Sequence, residues 1–479
     1  MVYIGQEDLH NFLRSQENYN LEAFLRQHEQ LISSTNSYNS WEKLRTTWVM
    51  RYKAALKEVK PELKHISRKL TAVEDTFWQQ LYRKVNMVQN GELRIELLDW
   101  CTQLMCKKPV TVQTEAIKDK INRLEEENSN ALVDRLNIMS FKLLNSFDTL
   151  TPIEKCLLKL SVSNVINMSK KVYSDQYQKH FSLSLYESLS SLSPPTLTLS
   201  YEQQLQTHFA EFKKIIFEES EAMVPMAIAK RGLKDQICYV MIYLRNKMAE
   251  WEDNDEGKDD DEDEENDDEA ESAREKKRKR VETTSENDMM MVVKFVLDAV
   301  FADSNLRWRS GEKTTSSTKR SKIINELASS SSNNNNSCSN VMGRRSDLVL
   351  TNKHGVNLCL VESKNGSSCY EEISQDSKSV RCTKSLYAYN SALSHQCLWS
   401  MNWNGYEGDM YYMRKHEGVD VVLAVEHLSI PTRACLIDSL KNTLVAFYKF
   451  KEQMLAYDRS ITYSFTISEE TDTRVYHSP

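Results

Sequence analysis

Residues 344–365 read RRSDLVLTNKHGVNLCLVESKN, and the fold turns on how this stretch is arranged. Two short apolar runs, 348–351 and 356–361, flank Lys353-His354-Gly355. Such runs with a turn residue between them read as a pair of antiparallel strands. If His354-Gly355 is a two-residue hairpin loop, Asp347 lies opposite Glu362. Directly opposed residues share a sheet face with Cβ atoms ~5 Å apart. Glu362 and Lys364 are two apart on one strand, so they share that face as well. One turn would then gather two carboxylates and an ammonium at a strand end, and a slip of one residue would scatter them.

Two carboxylates held close in an apolar hairpin repel unless a cation sits between them. A small set of oxygen ligands suits Mg²⁺, which keeps several of its waters and can hold a phosphate. Such an ion polarises a phosphoryl oxygen and acidifies bound water, and a nearby ammonium offsets transition-state charge. The acid-x-lysine tripeptide alone carries little information, since it begins at Glu58, Glu62, Glu211, Glu256, Glu275, Glu362 and Asp376. The one at Glu362 differs because it ends an apolar run preceded by a second run that opens on an Asp. The plain alternative is an ordinary hairpin with charged ends.

Outward from the hairpin, helical patterns are expected at 286–302, 371–394 and 432–457, with further strands at 396–403, 410–413 and 419–426. Helices interleaved with strands imply an α/β or α+β domain over 285–458. Residues 310–343 include SSSSNNNNS and read as a flexible inserted loop. The first half differs. Residues 114–146 place Ile117, Ile121, Leu124, Leu132, Leu136 and Met139 on one helical stripe, and Thr151-Pro152-Ile153-Glu154 is a helix-start signature. Residues 1–251 are therefore expected to be an all-helical region, with Trp41, Trp48, Trp78 and Trp100 as core anchors. Across the chain the 479 residues include only 11 Gly and 8 Pro, about 2% each, against typical usage of ~7% and ~5%. That scarcity disfavours turn-rich all-β folds.

The formal net charge of −7 conceals a sharp local contrast. Residues 252–271 hold fifteen acids against one Lys, and residues 274–280, REKKRKR, hold six bases against one acid. The acidic run repels itself and cannot bury apolar surface, so 252–284 is expected to be a disordered linker. The basic cluster behind it reads as a nuclear localisation signal, or as a counterweight to the acids. Outside these tracts the chain is nearly neutral, so the acidic balance does not exclude a nucleic-acid partner. No apolar run approaches the ~20 residues that span a bilayer, and the N-terminus lacks a secretory pattern. The expected compartment is the nucleus, otherwise the cytoplasm. The ten cysteines form no C-x-x-C pair and read as free, mostly buried thiols. Residues 459–479 are a C-terminal tail.

The stretch resembles the core of the PD-(D/E)xK nuclease-like superfamily, with Asp347 as the motif Asp and Glu362-Ser363-Lys364 as the (D/E)xK. It is also similar to a group of uncharacterised multi-copy fungal proteins carrying this core. Ser285-Glu286, Leu306-Arg307-Trp308, Arg345-Ser346-Asp347 and the later segment QDSKSVRCTKSLYAYNSAL match that group's order. The resemblance covers about 285–457 and none of the first 250 residues. One departure is Ser346, where the motif has a proline. The resemblance implies a restriction-endonuclease-like fold with a central mixed sheet flanked by helices. It also implies Asp347 and Glu362 as Mg²⁺ ligands, Lys364 as the catalytic lysine and Glu286 as an assisting acid. Glu286 reads equally as a helix N-terminal acid favoured by the macrodipole.

Lys378, Arg381 and Lys384 recur at steps of three, with Gln375 a possible addition. They are expected to form a basic stripe facing a phosphate backbone, unless they are a solvated helix face. Arg344 and Arg345 belong to a basic stretch, 306–345, that would add non-specific affinity for nucleic acid. The function expected is metal-dependent hydrolysis of phosphodiester bonds in nucleic acid, with DNA favoured. The alternative is a catalytically inactive nuclease-like domain that binds nucleic acid or protein. The N-terminal helices are a possible protein-partner surface, and no membrane is expected.

Overall fold

The computed structural model describes residues 5–15, 19–29, 31–32, 41–110, 113–126, 129–218, 232–256, 286–310, 317–319, 345–364, 368–390 and 397–461. The chain divides into two compact units, residues 1–100 with 109–141, and residues 101–108 with 142–479.

The first unit is helical, built on α1 (Gln6–Ser15), α2 (Leu21–Gln27), α3 (Trp41–Val59), most of α4 (Asp75–Met105), α5 (Thr114–Glu126) and the start of α6 (Leu132–Asn145). Phe24, Trp48, Tyr52 and Trp78 are fully buried at the centre of its core, with Trp41 packed at the edge. Trp100 meets Phe141 edge-on at 6.0 Å. Each buried aromatic contributes roughly 2–3 kcal/mol of burial, which makes these the anchors expected from the sequence.

The second unit contains one seven-stranded sheet in the order β1-β7-β6-β5-β4-β3-β2. Its strands are β1 (Val165–Asn167), β2 (Arg307–Ser310), β3 (Leu348–Thr351), β4 (Asn357–Lys364), β5 (Cys397–Asn404), β6 (Glu407–His416) and β7 (Val419–Ser429). The pairs β1–β7 and β4–β5 are parallel and the others antiparallel. A parallel β4–β5 pair requires a crossover, and α13 (Cys369–Asn390) supplies it. The remaining helices of this unit are α7 (Pro152–Val162), α8 (Lys171–His180), α9 (Leu183–Ser190), α10 (Glu202–Lys213), α11 (Leu233–Glu256), α12 (Glu286–Val300) and α14 (Ser439–Ser460). One sheet face packs Leu348, Leu350, Val361, Met401, Trp403 and Met410 into a core shared with α10, α11, α12 and α14. Trp308 belongs to this core, 5.7 Å from the Phe301 ring and 6.3 Å from Phe450. On β4 and β5 lies α13, with α7 packed against α13 and β1.

Three expectations change. Residues 142–251 do not belong with an all-helical region, because α7 to α11 and strand β1 are part of the sheet-bearing unit. The helical patterns there were sound, and Thr151 and Glu154 form the expected capping box. Three residues of strand are too few to show in a pattern. The hairpin loop is also longer than expected. Asn352 pairs with Val356 across Lys353-His354-Gly355, with Gly355 at φ +80°, a conformation open to glycine at little cost. That loop alone would slip the register by one. Leu358 is an extra residue in β4, because Thr351 pairs with Asn357 while Leu350 pairs with Cys359. The bulge restores the pairing of Leu348 with Val361 and carries the Asp347–Glu362 end into the expected alignment. Finally, α13 is not a solvated helix: Asp376, Ser377, Arg381, Thr383, Lys384 and Ser385 are all buried. Of the linker expected at 252–284, residues 252–256 are not disordered but continue α11 as helix; the rest of it with its basic cluster, most of 310–343, and 462–479 lie outside the described residues. No described helix is long and apolar enough to cross a membrane.

Candidate active site

Strand alternation turns Val361 and Ser363 toward the aromatic core and Glu362 toward α13. Ser363 Oγ lies 3.9 Å from Met289 Sδ of α12. Glu362 Oε2 accepts from Lys378 Nζ at 2.6 Å and from Gln375 Nε2 at 3.4 Å, both on α13. Gln375 also donates to the Ser363 carbonyl at 3.1 Å. Residues three apart share a helix face, so one face of α13 grips one strand end. Glu362 is fully buried, and its Oε1 has no hydrogen-bond partner among the described residues. Leaving a buried acceptor unpaired costs roughly 1–3 kcal/mol, more when the group is charged.

Asp347 sits beside it. Its Oδ2 accepts the backbone N–H of Ser363 at 2.6 Å. Burial, then the charge of Glu362, pushes the Asp347 carboxyl up to about 6; the Ser363 N–H and Lys378 pull the other way, and Glu286 adds a small upward push. For Lys378 the largest effect is burial, which lowers its pKa. The charge and hydrogen bond of Glu362 outweigh this and leave the pKa above the ordinary lysine value. Lys378 therefore stays an ammonium wherever Glu362 is a carboxylate.

The structure brings together Asp347 and Glu362, with Glu286 exposed at the first residue of α12. Lys364 is half-buried on the Glu362 side of β4, and its side chain makes no ion pair among the described residues. The expected basic stripe is corrected. Arg381 and Lys384 are buried, and Lys384 forms an ion pair with the fully buried Asp420 of β7. Neither can face a phosphate backbone. Lys378 is turned onto Glu362. The acid partners of Lys378 and Lys384 lie on strands distant in sequence, so a sheet-facing stripe and a solvent-facing one look alike in sequence. Arg345 is exposed, as is Arg309 on β2, and Arg344 lies outside the described residues.

The polar face continues across the sheet. Glu362 is in register with Asn402 of β5, Asn402 with Asp409 of β6, and Asp409 with His427 of β7. His427 lies between Asp409 Oδ1 at 3.0 Å and Glu407 Oε2 at 2.9 Å. The hydrogen bond to Asp409 is the main reason its pKa rises. Lys170 bridges Glu372 at 2.6 Å and Asp409 at 3.3 Å.

No group of three or more His, Cys, Asp or Glu placed to hold a metal occurs among the described residues. The donor set at Asp347 and Glu362 is two hard carboxylates, one with an orphaned oxygen. That fits Mg²⁺, which accepts one or two carboxylates and completes its shell with water and phosphate. No protein-family model, curated protein or solved structure matches this chain. Sequence reasoning missed the hold of Lys378 on Glu362 and the place of Asn402. The first was partly signalled by the Gln375–Lys378 spacing, and the second by nothing local.

Proposed function

We propose that the sheet-bearing unit is a Mg²⁺-dependent phosphodiesterase acting on nucleic acid, DNA in the first instance. The observation that carries this reading is the buried Glu362, with Oε1 unpartnered, beside an Asp347 whose pKa the Glu362 charge helps to raise. Such a pair is costly alone and is relieved by a divalent cation. Asp347 and Glu362 would hold the ion. When bound, it would acidify a water and polarise the scissile phosphate.

The chain's own residues do the rest. Lys378 and Gln375 fix the Glu362 carboxylate on Oε2 and leave Oε1 to the ligand. The Ser363 N–H fixes Asp347. Lys364, on the same strand face, would orient water or offset charge on the phosphoryl oxygens. Exposed Arg309 and Arg345 are among the basic residues available to a phosphate backbone, in place of Arg381 and Lys384. A basic cluster at 274–280 supports a nuclear setting.

The test is cleavage of plasmid and oligonucleotide substrates with and without Mg²⁺, for wild type, Glu362→Gln and Lys364→Ala. Cutting should need Mg²⁺, vanish in Glu362→Gln and fall at least tenfold in Lys364→Ala. Metal-dependent cutting that is unchanged in Lys364→Ala rejects the role given to that lysine. A second reading is a non-catalytic nucleic-acid-binding or protein-interaction module. It draws on one observation: the Lys378 ammonium already neutralises Glu362 at 2.6 Å. Nucleic-acid binding with no metal-dependent cutting would favour it.

A further inference from the structure

We propose that the amide oxygen of Asn402 is a third, neutral ligand of the divalent-cation site, an inference that rests on reading Asp347 and Glu362 as its carboxylates. Strands β4 and β5 run parallel with Glu362 and Asn402 in register. Neighbouring strands lie ~4.8 Å apart, and residues in register point to the same face. Asn402 is buried, at 4% exposure, and Glu362 is fully buried. Glu362 Oε1 and Asn402 Oδ1 both lack a hydrogen-bond partner among the described residues. Two buried, unpartnered acceptors in register on neighbouring strands suit a ligand that is positive.

The orientation of the amide has its own support. Tyr411 of β6 donates its hydroxyl proton to Asp376 Oδ1 at 2.5 Å. Asp376 is held from another side by Asn167 Nδ2 at 2.8 Å. Having given its proton to Asp376, the Tyr411 oxygen can only accept, and the Asn402 side chain is its hydrogen-bond partner. The donor of an amide is its nitrogen, so Nδ2 faces Tyr411 and Oδ1 is the atom left toward Glu362. A neutral oxygen also suits the site chemically. It adds a ligand for a hard cation without adding a third negative charge to two acids that already repel. The shortage of a third acidic ligand among the described residues is met by a residue type of another class.

The experiment is isothermal titration of the full chain with MnCl₂ and MgCl₂, in the absence of nucleic acid. Wild type, Asn402→Leu, Asn402→Asp and Glu362→Gln are compared, with circular dichroism as the folding check. Asn402→Leu should weaken binding about tenfold or more, in line with other changes around metal sites. Asn402→Asp, which keeps an oxygen, should bind as wild type or tighter, and Glu362→Gln should abolish binding. Rescue by Asp and not by Leu is a pattern that a purely structural role would not give. If Asn402→Leu fails to fold, Asn402→Ala takes its place. Wild-type affinity in the apolar variant, with binding still lost in Glu362→Gln, overturns the assignment of Asn402 and leaves the two-carboxylate reading standing. Absence of binding by the wild-type chain overturns both.

Discussion

Replacing Lys378 by Met removes the ammonium 2.6 Å from Glu362 Oε2 and leaves a carboxylate with no exposed surface facing only the Gln375 amide. Breaking a buried pair by removing one partner costs ~3–5 kcal/mol. Lys378 keeps 31% of its side-chain surface, so water screens part of the interaction and the lower end, about 3 kcal/mol, is the better figure. For a unit of several hundred residues that is a fall in melting temperature of roughly 4 °C. One condition should shrink the loss. Adding Mg²⁺ replaces the lost positive charge, so the variant should gain more stability from the ion than wild type does. The assay is denaturant unfolding at pH 8, with and without 10-fold excess Mg²⁺ over its dissociation constant, an excess worth about 1.4 kcal/mol to any chain that binds it. A Lys378→Met chain as stable as wild type at pH 8 without metal would refute the argument, because Glu362 would then not be a charge that needs a partner.

Asp347→Asn should stabilise the metal-free chain at pH 8. The folded-state pKa of Asp347 is raised to about 6 from 3.8, so the folded chain holds its proton more tightly. The stability difference is absent below about pH 4 and grows as the pH rises through 6, to on the order of 2–3 kcal/mol at most. Chemical denaturation across pH 3–8 reads it, and by the same sign Mg²⁺ affinity of wild type should rise as the pH passes 6. Lys384→Met should cost about 3 kcal/mol, the low end for a broken buried pair, because Lys415 at 3.3 Å still faces Asp420, and Lys384→Met with Asp420→Leu should recover much of it. Neither should change nucleic-acid affinity measured by fluorescence anisotropy. Deleting 274–280 from a fluorescently tagged full chain should shift it out of the nucleus in live-cell imaging.

What could be read in the sequence was what lies close along the chain. Strands β3 to β7, and helices α12 and α13, fall within a few residues of their expected positions, because each is a long enough run of one period, whereas α14 begins seven residues later than expected, at Ser439. The Asp347–Glu362 alignment is expected from a two-residue turn, and the chain reaches it by a three-residue loop and a bulge at Leu358. Strand β1 has three residues, and β2 reads RWRS with one buried position, so neither carries a pattern. Lys378 finds its acid 16 residues back, and Lys384 finds Asp420 36 residues ahead. A charged stripe does not announce which way it faces. Asn402 meets Glu362 through a parallel register, which no turn sets and no spacing reveals.

The extra residue at Leu358 has a use beyond alignment. A two-residue tip with a straight strand and a three-residue tip with one bulged residue end in the same pairing, so the hairpin's far end tolerates a change of length that the acids never feel. Lys353, His354 and Gly355 are exposed. Variation there, or a short peptide spliced in, would be absorbed before it reached Asp347 and Glu362. The chain thus separates a part that can drift from a part that must hold still, with a kink of one residue as the joint between them.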